Sequence, residues 1–297
     1  MSEVVNTTVQ EAASPRTSEL RRVIKVMLGR WVVVGGIIII LLLIVVAIFA
    51  PLIAPYHPND ANIGNVRAQP SSEYLLGTDE LGRDLLSRLI YGSRISLLVG
   101  IIAVTIAGAL GIALGLVAGY FGGWTNTVIM RFIDALLALP PLILMLAIAA
   151  VLGGGLFNVL VALGIGMMPT YCRLMCAQVI TLKQNDYITA VHSIGAKDLR
   201  IMLHHILPNA FPPLMVLITM NLGTAIMMEA SLSFLGIGIL PPTATWGAMV
   251  SSGQRFIFDN PLLSFMPGIA ILLVVLAFNM VGDGLRDALD PRLRGMV

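Results

Sequence analysis

The sequence predicts an all-α, polytopic membrane protein with about six transmembrane helices and cytoplasmic N- and C-termini. Three observations carry that prediction. First, 57% of the 297 residues are hydrophobic and only 11% charged, with a mean hydropathy of +0.91. Soluble domains hold about 25% charged residues, and too little polar sequence remains here for a separate water-soluble domain. Second, apolar runs long enough to cross a bilayer recur along the chain between short polar segments. Third, six spans place both ends and a polar island at 185–208 on one side, which collects twelve Lys or Arg against five on the other. The positive-inside rule makes that side cytoplasmic.

Residues 1–30 read as a cytoplasmic tail. Its first twenty residues are polar, mixed in charge and rich in Ser and Thr, a composition expected to stay disordered. Arg21, Arg22, Lys25 and Arg30 then lead into an uncharged run, 31–54. At 1.5 Å per residue that run makes a helix about 36 Å long, enough to span. It is too long for a signal-peptide core, and no small-residue cleavage site follows it. It is read as the first span.

Residues 55–94 read as an external segment in which Glu73, Asp79, Glu80 and Asp84 roughly balance Arg67, Arg83, Arg88 and Arg94. Leu81, Leu85, Leu86, Leu89 and Ile90 fall at helical spacing, which predicts a helix lying along the membrane surface. Asp79 and Arg83, four residues apart, would brace that helix.

The core, 95–282, holds the remaining spans. Gly111, Gly115 and Gly119 recur every four residues on the second, leaving one face nearly bare backbone for a close helical neighbour. A third span starts near Val128, carries Arg131 and Asp134 near its head, and should kink at Pro140-Pro141. The fourth, about 157–180, contains Cys172 and Cys176. No acidic or further cysteine partner lies nearby in sequence, so the pair reads as small apolar fillers rather than metal ligands. The fifth, about 208–235, carries Asn221, Thr224 and Ser231 at spacings that share a face, with Glu229 near its far end. These four are the candidate pathway-lining residues. An external loop, 236–261, precedes a sixth span from about 262 to 281, and 283–297 form a cytoplasmic tail.

Several chemistries are excluded. The chain has no G-x-x-x-x-G-K-[ST], so ATP hydrolysis is not expected on it. It has no H-E-x-x-H, and the adjacent His204 and His205 point to different sides of a helix and make a poor metal pair. No serine sits in a G-x-S-x-G setting. The chain is therefore read as a transport subunit and not an enzyme, binding no cofactor, metal or nucleic acid, with membrane lipid around it. Ionisable residues within spans are few (Asp134, Arg173 and Glu229), fewer than an ion-coupled secondary carrier normally needs. Such a carrier remains the alternative class; it would move solute without ATP.

The island, NDYITAVHSIGAKDLRIMLHHILP, carries both signs of charge between two apolar runs. Ile188, Val191, Ile194 and Leu199 predict two short amphipathic helices. Asn185 or Asp186 would cap the first, and Gly195 would be the joint between them. Asp198 suits the start of the second, and Pro208 suits the first turn of the next span. This stretch resembles the EAA loop of ABC-importer permeases: Ala190, Gly195, Leu207 and Pro208 match it. Thr189, Val191 and His205 stand where that motif has glutamate, alanine and isoleucine.

Other blocks extend the resemblance over residues 31–292: LLGTDELGRDLLSRLIYGSRISLL, VAGYFGGW, ASLSFLGIGILPPTATWGAM and FNMVGDGLRDALDP. Together they are similar to the C-type permease of the dipeptide, oligopeptide, nickel and glutathione importers, with Ala244 and Thr245 departing from the usual outer loop. The resemblance implies a type I ABC-importer permease fold in a bacterial inner membrane. It also implies a homologous second permease, two ATP-binding subunits carrying ATP and Mg, and an extracytoplasmic substrate-binding protein. On that reading Ala190, Gly195, Ala196, Asp198, Leu207 and Pro208 couple the chain to the ATPase, with Ala190 and Ala196 small because the ATPase lies against them. The implied solute is a di- or oligopeptide, with nickel or glutathione as alternatives.

Overall fold

The computed structural model describes residues 16–61 and 66–289. The architecture is a bundle of long helices; among the described residues the β-structure is a single isolated bridge, Thr78 to Asp84. A first helix α1 (Arg16–Leu28) turns at Gly29 into α2 (Trp31–Ile48), which a short α3 (Ala50–Ile53) extends. There follow α4 (Leu85–Phe121), α5 (Gly123–Leu137), α6 (Pro141–Leu152) and α7 (Leu156–Lys183). Next come α8 (Asp186–Ser193), α9 (Asp198–Arg200), α10 (Leu207–Phe234), α11 (Trp246–Gly253) and α12 (Leu262–Leu289).

Five helices are long and apolar enough to cross a membrane, and the count reaches six if α5 and α6 make one broken span. The expected kink at Pro140-Pro141 is in fact a break: α5 and α6 meet at 91°. Two consecutive prolines remove two helical donors, and the residue before a proline is pushed out of the α region. Pro140 accordingly sits at ψ 135° between the two helices.

Three further expectations are corrected. Residues from Arg16 onward are helical rather than part of a disordered tail, while 1–15 lie outside the described residues. Likewise α12 runs on to Leu289, so the expected polar tail begins as helix, and 290–297 fall outside the description. The surface helix expected from about Leu81 does not form separately. Asp84 caps α4, accepting hydrogen bonds from the Ser87 amide (2.7 Å) and hydroxyl (2.6 Å). From that cap one helix runs unbroken into the membrane, so Leu85 and Ile90 belong to the core.

The tightest seam in the bundle lies between α4 and α7. A methyl group at Gly111 would meet the Met168 carbonyl and Tyr171 Cβ, both at 2.6 Å, and one at Gly119 would sit 2.7 Å from Val179 Cβ. Gly115 faces Cys172, Met175 and Cys176. The register advances in the same direction on both helices, so α4 and α7 run parallel. The glycine face therefore finds its neighbour inside this chain. Cys172 and Cys176 are buried free thiols in that seam, as their reading as fillers requires.

Gly223 of α10 approaches Val275 of α12, and Gly282 of α12 approaches Met220, an antiparallel pair. Gly36 of α2 lies against Ala277 and Met280, and Val33 against Gly284. That contact puts the start of α2 beside the end of α12, where Arg30 and Asp287 form an ion pair. Both described chain ends and the start of α10 thus lie at one end of the bundle.

The opposite end carries the segment before α4. Asp79 Oδ2 accepts from Arg83 Nε at 2.7 Å and lies 3.4 Å from Arg88 Nε; all three side chains are buried. The predicted Asp79–Arg83 pair exists, but it braces a turn ahead of the helix rather than a surface helix. Arg88 also donates to the Pro58 carbonyl (3.0 Å), and Trp246 Nε1 donates to the Leu89 carbonyl (3.0 Å). Gln69 Nε2 donates to the Asp259 carbonyl (3.1 Å), so this segment and the loop around α11 form one cap.

Candidate functional site

The island forms a short helix, α8, followed by a bend. Asn185 holds the N-cap position of α8 in extended backbone, although its side chain donates back to the Leu182 carbonyl instead of capping. Gly195 has φ +82°, the left-handed conformation expected of a glycine joint, and a Cβ there would meet nothing within 4 Å. Its glycine serves backbone conformation rather than close packing.

The expected second short helix is absent as a separate element. From Asp198 the chain coils through a π-helical stretch, Ile201–Ile206, straight into α10. Pro208 lies in the first turn of α10. Proline cannot donate to the carbonyl four residues back, and the wider π register sits where that donor is missing. Asp198 to Phe234 is thus one 37-residue rod, and the bend at Gly195 connects α8 to it directly.

The apolar residues of the island face two ways. Ile188 is buried, and Val191, Ala196 and Leu207 pack against the main core cluster. Tyr187, Ile194 and Leu199 face outward, Ile194 with 83% of its surface exposed. Of the six residues singled out from the sequence, Ala190, Gly195, Asp198 and Pro208 are exposed. Ala196 and Leu207 point inward, so Ala196 is small for packing within this chain rather than against a partner.

Polar contacts between residues distant in sequence fix the island to the bundle. Tyr120, at the end of α4, donates its hydroxyl proton to Asp198 Oδ1 at 2.7 Å. Lys183, in the last turn of α7, donates to the Tyr120 carbonyl at 2.5 Å, its ammonium 5.1 Å from the centre of the Tyr120 ring. A cation suits the carbonyl end of a helix. Asn209 Nδ2 donates to the Tyr187 hydroxyl at 3.3 Å, closing the other side of α8. Sequence reasoning missed Tyr120 and Lys183, because 78 residues separate Tyr120 from Asp198 and no spacing rule links them.

The four residues expected to line a pathway do not form one group. Asn221 donates to the Tyr171 hydroxyl at 3.0 Å, a bond between α10 and α7. Thr224 and Ser231 donate to carbonyls one turn back in α10, those of Met220 and Met227. Glu229 lies on the opposite side of the helix and is 1% exposed, its Oε1 accepting from the Ser233 hydroxyl at 2.7 Å. Eight residues on from Asn221, it is turned about 80° from that residue and further from the other two. It belongs to the packed interface under α11 rather than to a polar lining. Asp134 pairs with Arg173 at 2.6 Å across α5 and α7, so neither is a free intramembrane charge.

Comparison with known proteins decides what this bundle is. Residues 111–295 match the model of the binding-protein-dependent transport system inner membrane component. This chain belongs to that family. Residues 18–70 also match the N-terminal transmembrane domain of oligopeptide transport permease C. The permease is 43% identical to the dipeptide transport system permease protein DppC of Alkalihalophilus pseudofirmus, over 93% of this chain and 91% of that protein. It is 46% identical to the di/tripeptide transport system permease DppC of Pseudomonas aeruginosa, over 88% of each chain. It is 47% identical to the glutathione transport system permease GsiD of Escherichia coli, over 84% of this chain and 83% of that one.

Among solved structures, an inward-facing form of the MetNI methionine ABC transporter aligns with a TM-score of 0.55 at 18% identity. The alignment covers 69% of this chain and 97% of that one. The fold is that of a type I ABC-importer permease. The protein is a multi-pass bacterial inner-membrane permease of an ABC importer, a transport subunit rather than an enzyme.

Proposed function

We propose that this permease forms half of the translocation pathway of an importer of di- or oligopeptides. A homologous permease forms the other half, and two ATP-binding subunits carrying ATP and Mg drive the cycle. A substrate-binding protein delivers the solute from outside. The end of the bundle holding the island faces the cytoplasm, in keeping with its excess of Lys and Arg. The two DppC relatives, similar over nearly their whole length, favour a short peptide as solute.

The observation that carries the coupling role is the two-sided island. Ile188 anchors it inward, while Tyr187, Ile194 and Leu199 present an apolar surface outward at the start of the 37-residue rod. That surface docks on the ATPase, with Ala190, Gly195, Asp198 and Pro208 exposed around it. Turning a permease from 1:99 to 99:1 between two states needs about 5.5 kcal/mol of differential interaction. A helix tied to α4 by Tyr120 and continuous with α10 can transmit a displacement of that cost; a loose loop would dissipate it. Asn221, on the inner side of α10, is the pathway residue this reading retains.

The test is uptake of labelled dipeptide by liposomes holding the full complex, with and without ATP, beside the same chain alone. ATP-dependent uptake by the complex and none by the lone chain is the expected result. Uptake by the lone chain without ATP would replace this reading with that of a secondary carrier.

A further inference from the structure

The helix α1 has no role in the transport scheme above, and its outer face has an unusual make-up. Arg21, Ile24, Lys25 and Leu28 follow the i, i+3, i+4, i+7 spacing that places residues on one face of a helix. All four are exposed, Ile24 at 48% and Leu28 at 57%. The other side, with Val23, Val26 and Met27, is half-buried, and the helix rests on α12. A face turned to water would carry polar residues alone. This one sets two aliphatic side chains between two cations.

Its depth is marked independently. Trp31 follows α1 by three residues, heads α2 and is 84% exposed. Exposed tryptophan at the head of an apolar span sits at the level of the lipid headgroups. Beyond it, α2 exposes Ile38, Leu41, Leu42 and Val45, a surface that meets acyl chains. The apolar part of α1 is therefore continuous, through Trp31, with the lipid-facing side of the first span. Arg30 does not compete for the same role, since Asp287 pairs with it.

We propose that α1 lies in the membrane interface and binds anionic phospholipid, with Ile24 and Leu28 at the acyl boundary and Arg21 and Lys25 on the headgroup phosphates. Long basic side chains reach upward to phosphate while their stems stay in apolar surroundings. Each cation near an anionic leaflet favours the bound position by about fivefold, and the two together by roughly 30-fold. The helix thereby anchors the α2–α12 side of the permease at one depth. The lipid charge is what holds it there.

The test uses a spin label on Ile24→Cys in the full-length chain, alone and in its assembled complex. Vesicles of phosphatidylcholine are compared with 3:1 phosphatidylcholine–phosphatidylglycerol. Collision with dissolved oxygen reports lipid contact, and collision with an aqueous nickel chelate reports water contact. In phosphatidylglycerol the label should favour oxygen strongly, and Arg21→Gln with Lys25→Gln should return it to its value in phosphatidylcholine. Three results would overturn the proposal. One is equal access of the chelate in both lipids. Another is a phosphatidylglycerol effect that survives the double substitution. The third is shielding of the label in detergent that appears only when the complex is assembled, which would make the face a protein contact. The double variant changes two exposed side chains, and an unchanged elution volume on size exclusion confirms that it is folded.

Discussion

Replacing Gly111 by alanine tests the α4–α7 seam most directly. The added methyl would lie 2.6 Å from both the Met168 carbonyl oxygen and Tyr171 Cβ, whereas ordinary contact begins near 3.4 Å. About 0.8 Å must come from moving two helix backbones apart, since a carbonyl and a Cβ cannot rotate out of the way. Opening a gap of that size forfeits roughly a quarter to a half of each local dispersion contact, so ~40 atom pairs worth ~6 kcal/mol would lose about 2 kcal/mol. That falls within the range of about 1–3 kcal/mol for overpacking. Alanine returns up to about 1 kcal/mol through its better helix propensity, leaving a net loss of about 1–2 kcal/mol. Packing is what drives helices together inside a bilayer, so the loss should appear in the chain by itself. The assay is reversible unfolding in mixed micelles by SDS titration. Gly35→Ala serves as control, because nothing lies within 4 Å of a Cβ there; it should be neutral or slightly stabilising. If Gly111→Ala unfolds at the same SDS fraction as Gly35→Ala, the close approach of α4 and α7 is not what holds the seam.

Four further outcomes are expected. Asp79→Ala leaves Arg83 and Arg88 buried without their shared carboxylate and should cost about 3–5 kcal/mol, read as loss of folded protein on fluorescence-detected size exclusion. Tyr120→Phe removes only the hydroxyl that holds Asp198; membrane insertion should be normal, while the ratio of peptide imported to ATP hydrolysed in proteoliposomes falls. At Gly195, φ +82° costs an alanine about 1–2 kcal/mol. Gly195→Ala should therefore be mildly impaired, and Gly195→Val should remain in the membrane yet lose uptake; normal uptake, ATPase activity and co-purification of Gly195→Val would defeat the lever. Asn221→Ala removes the bond to Tyr171 between α10 and α7, and a changed KM for peptide at unaltered ATPase docking is the expected signature.

The class of the protein lay open in the sequence because hydropathy is additive. Runs of apolar residues must enter lipid whatever their neighbours do, so the spans, the polar island and their order were legible. Local backbone chemistry was legible too. Gly195 needed a left-handed φ, Pro208 needed a first helical turn, and Gly111, Gly115 and Gly119 needed a close neighbour. Which neighbour was beyond reach: a bare helix face states that something approaches, not what, and only the assembled bundle shows α7 lying there. The same limit applied at the island, where Ile188, Val191, Ile194 and Leu199 share a helical spacing. The tertiary structure turned the first two inward and the last two outward, because the bend at Gly195 reorients the chain between them. Asp198 looked like a helix-dipole residue and proved also to be the acceptor for Tyr120, a pairing that exists only because parallel packing of α4 and α7 brings the end of α4 to the island. Glu229 looked like part of a polar face and was buried by α11, an element that hydropathy does not register. Sequence thus determined which segments enter the membrane and where the backbone must bend, since those costs are local. The tertiary structure alone decided which faces meet, since that depends on how several helices share one space.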